Sequence, residues 1–241
     1  MNDLDISILI QGPIKYYKEV IDSYKGIKKV LWCTWDDEPE EGIKAIQEAG
    51  IFVHLIQKPK YSGYWNVNFQ CKSSYEGLLK CKELFDSKYY IKIRSDFKIT
   101  NISLLCQRFI FKGKQINFLG WANMLGGFFL DYIVFGDYDS MYRYWEFSDD
   151  ENNGNPCPEI FLMNRYFRDN HLSNKENKNY MTKLPLLDNI EFYWLSRGIN
   201  IRDFSSDLYF NYKEKKVYYY LKFKLKNICN RIKKNIKLWM F

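Results

Sequence analysis

The chain has 241 residues, 46% hydrophobic and 27% charged, with only 13 Gly and 6 Pro. That balance excludes a disordered, collagen-like or low-complexity protein and leaves enough chain for one substantial core. Lys and Arg exceed Asp and Glu by 36 to 29, a net charge of +7, and aromatics reach 19%, so nucleic-acid binding stays open as a class.

In chain order, the apolar run Ile6–Ile10 predicts a strand ended by the turn Gln11-Gly12-Pro13. Lys29–Thr34 predicts a second strand, closed by Trp35-Asp36-Asp37-Glu38-Pro39. Gly42–Ala49 has helical spacing and stops at Gly50, and Ile51–Ile56 reads as a third strand. Asn68–Phe85 predicts a helix with Leu78, Leu79, Cys81 and Leu84 turned inward, followed by a strand at Tyr89–Ile93 that ends on Arg94-Ser95-Asp96. Further strands are expected at Ile116–Trp121 and Phe128–Phe135 around a Gly126-Gly127 bend. Helices follow at Asp137–Trp145 and Glu159–Asp169, the second opened by Pro158, with polar loops at Ser148–Pro158 and Asn174–Asn179. Ile190–Phe210 is expected to hold a helix and a late strand. Strand and helix alternating over short connections predict one α/β domain over residues 1–212, Rossmann-type, with a mainly parallel central sheet. In such sheets the ligand crevice lies beyond the carboxyl ends of the strands, where three of these polar clusters fall.

The six Cys (33, 71, 81, 106, 157 and 229) form no CxxC pair, and no signal peptide precedes them, so a reduced cytoplasmic protein with Cys as small core residues is expected. His54 and His171 have no His or Cys at ligand spacing, which disfavours a zinc site or a His-based triad. No run of 18 apolar residues is present to span a membrane. Carboxylates, amides and Arg remain for catalysis.

A buried strand ending in an acid delivers one carboxylate to a place set by the sheet. At Asp96 that suits a divalent cation neutralising a diphosphate leaving group, and equally a turn cap with Arg94 as its ion-pair partner. The segment Asp5-Ile6-Ser7-Ile8-Leu9-Ile10-Gln11-Gly12-Pro13-Ile14 resembles the opening of the WavE lipopolysaccharide-synthesis family. So, in order, do Thr34-Trp35, Asn68-Phe69-Gln70 with Ser73-Ser74 and Gly77-Leu78, and Lys92-Ile93-Arg94-Ser95-Asp96. Asp131-Tyr132 with Phe135-Gly136, and Pro158-Glu159 opening a helix, complete the match over residues 5 to 165. The resemblance implies a GT-A type glycosyltransferase from a bacterium, with a nucleotide-sugar donor and a lipopolysaccharide or capsule acceptor. Within that class, Arg94-Ser95-Asp96 departs from the usual Asp-x-Asp, so Arg94 is a rival to a Mn or Mg ion at Asp96 for contact with the diphosphate.

Gln11, with Gly12 and Pro13 beside it, offers an amide to a base or ribose, or is an ordinary turn residue. Asp36 and Asp37 are base or ribose acceptors, or solvated loop charges. Asn68 and Gln70 stand at a helix start suited to phosphate, or Asn68 is a cap. Glu159 is the candidate general base of an inverting reaction, or an acid complementing the helix dipole; the resemblance puts it near the acceptor, and Asp131 and Asp137 are its rivals.

From Lys213 to Phe241 stand ten basic residues and one acid, with Leu221, Leu225, Ile228, Ile232, Ile236 and Trp239 on one helical face. This tail is +9, and residues 1–212 carry 26 basic against 28 acidic, or −2. The basic surplus therefore belongs to an amphipathic segment suited to an anionic membrane surface, and a nucleic-acid module becomes the weakest alternative. The expectation is a cytoplasmic enzyme, peripheral on the inner face of the cytoplasmic membrane, that moves a sugar from a nucleotide-sugar to a glycan or lipid-linked glycan. A transferase of phosphosugars or polyol phosphates on the same crevice is the alternative.

Overall fold

Two strands with no polar face set the architecture. Strand β1 (Ile6–Gln11) and strand β2 (Val30–Trp35) are buried at all six positions each, which only a central strand covered on both sides achieves. In the computed structural model, residues 5–63, 66–108, 116–122, 128–148, 158–169, 181–183 and 190–201 are described. The chain divides into Met1–Arg202 and Asp203–Phe241, and all described residues belong to the first unit. The Gly126-Gly127 bend, the 149–157 and 174–179 loops, Cys157, His171, Cys229, the domain boundary at 212 and the basic tail lie outside the described residues.

Around β1 and β2 stand β3 (Phe52–Ile56), β4 (Tyr89–Arg94), β6 (Ile116–Ala122), β7 (Phe128–Asp137) and β8 (Met181–Lys183), in the order β3-β2-β1-β4-β7-β6-β8. The pairs β1–β2, β2–β3, β1–β4 and β6–β8 are parallel; β7 runs antiparallel to both β4 and β6. The fold is thus mixed α/β with a mainly parallel sheet, as expected from the alternation. A second sheet joins β5 (Phe97–Ile99), β9 (Phe192–Trp194) and β10 (Ile199–Ile201) in the order β10-β9-β5. Of the helix and late strand expected over Ile190–Phe210, the described residues hold a single 3₁₀ turn, Leu195–Arg197, and the strand β10: the β-prone Phe-Tyr-Trp run pairs as β9, Gly198, at φ +64, closes the hairpin, and 202–210 lie outside the described residues.

Helix α1 (Tyr17–Val20) follows β1, and α2 (Glu40–Glu48) lies between β2 and β3. Helix α3 (Val67–Phe85) buries Val67, Cys71, Ser74, Leu78 and Cys81, spaced 4, 3, 4 and 3, against β1, β2 and β3. The next step of four falls on Phe85, which meets Phe52 at a ring distance of 5.4 Å. Leu84 therefore leaves the stripe and is 39% exposed, contrary to its predicted inward place. Gly77 lets α3 close onto the sheet: a Cβ there would stand 2.9 Å from the Cys33 Cβ. Helices α4 (Ile102–Arg108), α5 (Tyr138–Trp145) and α6 (Pro158–Asp169) complete the α-helices of the described residues. One core joins Leu9, Leu31 and Tyr90 of the sheet to Leu78, Met141, Trp145 and Leu162 of α3, α5 and α6. The described Cys33, Cys71, Cys81 and Cys106 are buried free thiols.

Candidate functional site

The sequence order of strands reverses between β1 and β4, so the loops leaving their carboxyl ends part and open a crevice there. Gln11 and Arg94 are register partners at that end. The Ser95 amide donates to the Gln11 carbonyl at 2.9 Å, and the Gly12 carbonyl accepts from Trp32 Nε1 at 3.0 Å. Gly12 has φ +119, and a Cβ on it would stand 2.7 Å from Ser95 Oγ. Only glycine fits where the two loops touch. Pro13 is exposed just beyond it.

Arg94 and Asp96 form a fork at the floor. Arg94 Nε donates to Asp96 Oδ1 at 3.0 Å and Nη2 to Oδ2 at 2.8 Å. Oδ2 also accepts from Trp194 Nε1 at 2.8 Å and Ser196 Oγ at 2.6 Å, which ties the β9 hairpin to the crevice. The guanidinium lies 5.3 Å from the Tyr132 ring centre, 5.4 Å from Trp194 and 6.0 Å from Phe97. Burial works against the charge of both groups. It is outweighed at Asp96 by the Arg94 charge and the donors Ser196, Arg94 and Trp194, which hold its carboxyl below the ordinary value. At Arg94 the charges of Asp96 and Asp131 outweigh burial and hold the pKa above its ordinary value. Two of the five guanidinium N–H groups are spent on Asp96, and the side chain keeps 29% exposure, so the rest can meet an anion.

The divalent cation expected at Asp96 does not suit these residues. Oδ2 already accepts three hydrogen bonds and Oδ1 is bound by the Arg94 cation, and the place of a second acid holds a guanidinium. Among the described residues, no three His, Cys, Asp or Glu side chains gather into a donor set. The fixed positive charge at this place is Arg94.

The first turns of α3 overlie the same end of the sheet. Gln11 Nε2 donates to Ser73 Oγ at 2.8 Å, so the amide expected to read a base is engaged on α3. Asn68 is buried and holds the preceding loop, its Nδ2 donating to the Tyr61 carbonyl at 3.2 Å; it is the second helical residue, not the cap. Gln70 is half-buried one turn from Ser73. Asp36 is exposed, and Asp37 pairs with Lys58 at 2.5 Å. The acid that joins the loops after β1 and β2 is Glu38, whose Oε1 accepts from Thr34 Oγ1 at 3.1 Å and the Ile14 amide at 3.3 Å. A cavity of about 330 Å³ opens beside it, lined by Ile14, Lys15, Tyr17, Pro39 and Glu41.

The three acids proposed for catalysis part company. Asp137 stands opposite Tyr89, at the far end of β4 from Arg94 and about 16 Å away along the strand. Because β7 runs antiparallel, its end lies at the amino edge of the parallel strands, and Asp137 caps α5 by accepting from the Ser140 amide at 2.8 Å. Asp131 is 1% exposed beneath the crevice. Phe118 opposes Val134 while Gly120 opposes Leu130, so β7 runs four residues against two on β6 and breaks its alternation just at Asp131. Lys92 Nζ donates to the Asp131 carbonyl at 2.9 Å, lies 3.7 Å from Oδ2 and sits 4.5 Å from the Trp145 ring centre. Glu159 is half-buried in the first turn of α6. Burial, then the charges of Asp131 and Glu159, push the Tyr144 hydroxyl well above its ordinary pKa.

Trp194 and Ser196 escaped the sequence reading, in which Tyr132 and Glu38 stood only within a motif match and a strand-closing cluster, without a site role. Trp194, Ser196 and Tyr132 carry no spacing signal, being brought in by β9 and β7 from distant chain. Lys92 did carry one: a lysine between isoleucines in a buried strand.

No family model matches this chain, and no curated protein matches it. Loose likenesses exist among solved structures. The apo-form glycosyltransferase GlyE of Streptococcus pneumoniae TIGR4 is 11% identical at a TM-score of 0.43, over 74% of this chain and 44% of that one. A putative glucose-1-phosphate thymidylyltransferase of Bacillus anthracis is 10% identical at 0.44, over 77% and 89%. The galactosyltransferase LgtC, in complex with donor and acceptor sugar analogs, is 7% identical at 0.44, over 74% and 72%. The chain thus spans less than half of GlyE, and likenesses this loose leave function to be read from the site itself.

Proposed function

We propose that this chain is a glycosyltransferase of the WavE-like kind, moving a sugar from a nucleotide-sugar to a surface-polysaccharide acceptor such as lipopolysaccharide or capsule. The observation that carries the reading is the Arg94 fork, locked by Asp96 and ringed by Tyr132, Trp194 and Phe97, beside Gly12 at the switch point. As the bond from the anomeric carbon to the diphosphate oxygen breaks, negative charge gathers on the leaving nucleoside diphosphate. The free guanidinium N–H groups stabilise that charge without reorganising, because Asp96 holds the fork in place beforehand. The acceptor hydroxyl oxygen takes over the anomeric carbon and gives its proton to Glu159 as general base. The nucleoside belongs in the cavity between the loops after β1 and β2, near Glu38 and Tyr17. The basic tail, residues 213–241, holds the enzyme on the inner face of the cytoplasmic membrane, where lipid-linked acceptors are found.

A thermal-shift screen of nucleoside mono- and diphosphates and nucleotide-sugars, with and without manganese, tests the core of this. A ligand at 100 times its Kd stabilises the native state by about 2.7 kcal/mol. Arg94→Lys, which keeps the charge and loses the fork, is expected to weaken nucleotide binding at least tenfold. No shift with any nucleotide refutes the reading. Release of a nucleoside monophosphate from donors other than CMP-sugars favours phosphosugar or polyol phosphate transfer instead. For the tail, equal sedimentation with anionic vesicles by the full chain and by a chain ending at Tyr212 refutes the membrane role.

A further inference from the structure

Strand β3 ends the seven-stranded sheet, and among the described residues no strand pairs with its outer edge. Its sequence, Phe-Val-His-Leu-Ile, has none of the Lys, Pro or bulge devices that keep an edge from pairing with another chain. Phe52 is 48% and Leu55 42% exposed, on opposite faces of the strand. Leu84, at the end of α3, adds a third exposed apolar side chain.

The backbone settles which register a partner strand takes. The Asp36 amide donates to the Ile56 carbonyl at 3.0 Å, so Ile56, and by alternation His54 and Phe52, turn their peptide groups toward β2. Val53 and Leu55 turn theirs outward. The antiparallel register that uses both residues on both strands has a two-fold axis at His54. There Val53 faces Leu55 of the other copy twice, making four N–H to carbonyl bonds. Side chains then meet apolar on apolar: Phe52 against Ile56 on the α3 face, Val53 against Leu55 on the other.

We infer that the free edge of β3 is the interface of a homodimer, two copies pairing antiparallel about His54 to continue the sheet. The contact is isologous and closes on itself, so it stops at two copies. Five residues a side are a small interface, so the dimer forms with rising concentration. At the axis the two imidazoles stand as a non-hydrogen-bonded pair, about 4.5 Å apart at Cα. Burial, with Lys80 adding to it, keeps His54 neutral at pH 7 against the weaker opposing pull of Glu76 and Glu83. These groups all lie on α3; Cys33 is the β2 neighbour. Protonation places like charges face to face, so acid dissociates the dimer.

Sedimentation velocity of the full chain over a hundredfold concentration range reads this directly. At pH 7.5 the mass rises from 29.2 kDa toward twice that value, and at pH 5 it stays at the lower one. Leu55→Pro removes an outward N–H that the chain's own ladder does not use. Leu55→Lys leaves the backbone intact and sets a charge on the edge. Each is expected to raise the dimer dissociation constant at least tenfold while leaving the dilute protein's melting temperature within a few degrees, and His54→Phe is expected to retain the dimer at pH 5. A monomer at every concentration at pH 7.5 overturns the inference, as does a dimer indifferent to Leu55→Lys.

Discussion

Replacing Lys92 with Met tests the electrostatics under the crevice. Lys92 and Asp131 are 0% and 1% exposed, with Nζ 3.7 Å from Oδ2 and no hydrogen bond on that oxygen. At an effective dielectric near 20 the gross attraction is about 4 kcal/mol. Burial outweighs even that attraction and leaves the Lys92 pKa at about 8 against 10.5, a net cost of about 3 kcal/mol for its charged form. The pair therefore holds itself together without contributing much net stability. Lys92→Met alone strands a buried carboxylate and is expected to cost about 3–5 kcal/mol; Lys92→Met with Asp131→Leu is expected within about 1 kcal/mol of wild type or above it. Urea melts at pH 7.5 read both as midpoint shifts at constant slope. The pH dependence gives a second reading. Between the folded and unfolded values of Lys92 the unfolded chain binds more protons, so its share of stability rises from about pH 8 to 10.5 and is flat below. From pH 7.5 to 9.5 wild type gains about 2 kcal/mol on the double variant. The comparison is needed because burial raises the Cys33, Cys81 and Cys106 thiols, whose effect has the opposite sign and is common to both proteins. A single variant costing under about 1 kcal/mol, or a double variant as damaged as the single, refutes the reasoning.

Ser196→Ala and Trp194→Phe each remove a hydrogen bond to the Asp96 carboxylate, and each is expected to cost about 1.5–3 kcal/mol. Because the folded value of Asp96 is depressed, its contribution is present above the ordinary carboxylate range and lost as pH falls through the folded value, so both variants raise the midpoint of acid unfolding. Gly12→Ala meets Ser95 Oγ at 2.7 Å with φ at +119, and is expected to lose about 2 kcal/mol in a thermal melt; Ser95→Gly relieves the contact and not the backbone strain, so it restores only part. Gly77→Ala gains about 1 kcal/mol of helix propensity but drives a methyl onto Leu9 and the Cys33 Cβ, and overpacking of about 1–3 kcal/mol makes it a net loss in chemical denaturation.

The strands most legible in the sequence are those buried on both faces. Ile6–Ile10 and Tyr89–Ile93 are unbroken apolar runs closed by polar turns, and β1 and β4 lie where they were expected. Helix α4 was legible in principle: Asn101 Oδ1 accepts from the Leu104 amide at 3.0 Å, an N-cap ahead of Ile102, Leu105 and Cys106. Leu84 was misplaced because a four-residue step carries the α3 stripe to Phe85. Asp137 was misplaced for a different reason. Its local signals are those of a cap, which it is, and only the antiparallel course of β7 shows that it lies at the wrong end of the sheet for the crevice.

The sequence alone determined that Gln11-Gly12-Pro13 and Arg94-Ser95-Asp96 end buried strands, because apolar periodicity and turn residues are properties of neighbours along the chain. It could not determine that β1 and β4 lie side by side, since pairing depends on which of several similar strands find each other. That adjacency brings Gly12 onto Ser95. Nor could it show that Trp194 and Ser196, about a hundred residues away, both donate to Asp96 Oδ2 and fix the carboxylate as the anchor of Arg94. A carboxylate's chemistry is set by the donors around it, and those donors arrive only when the chain is folded.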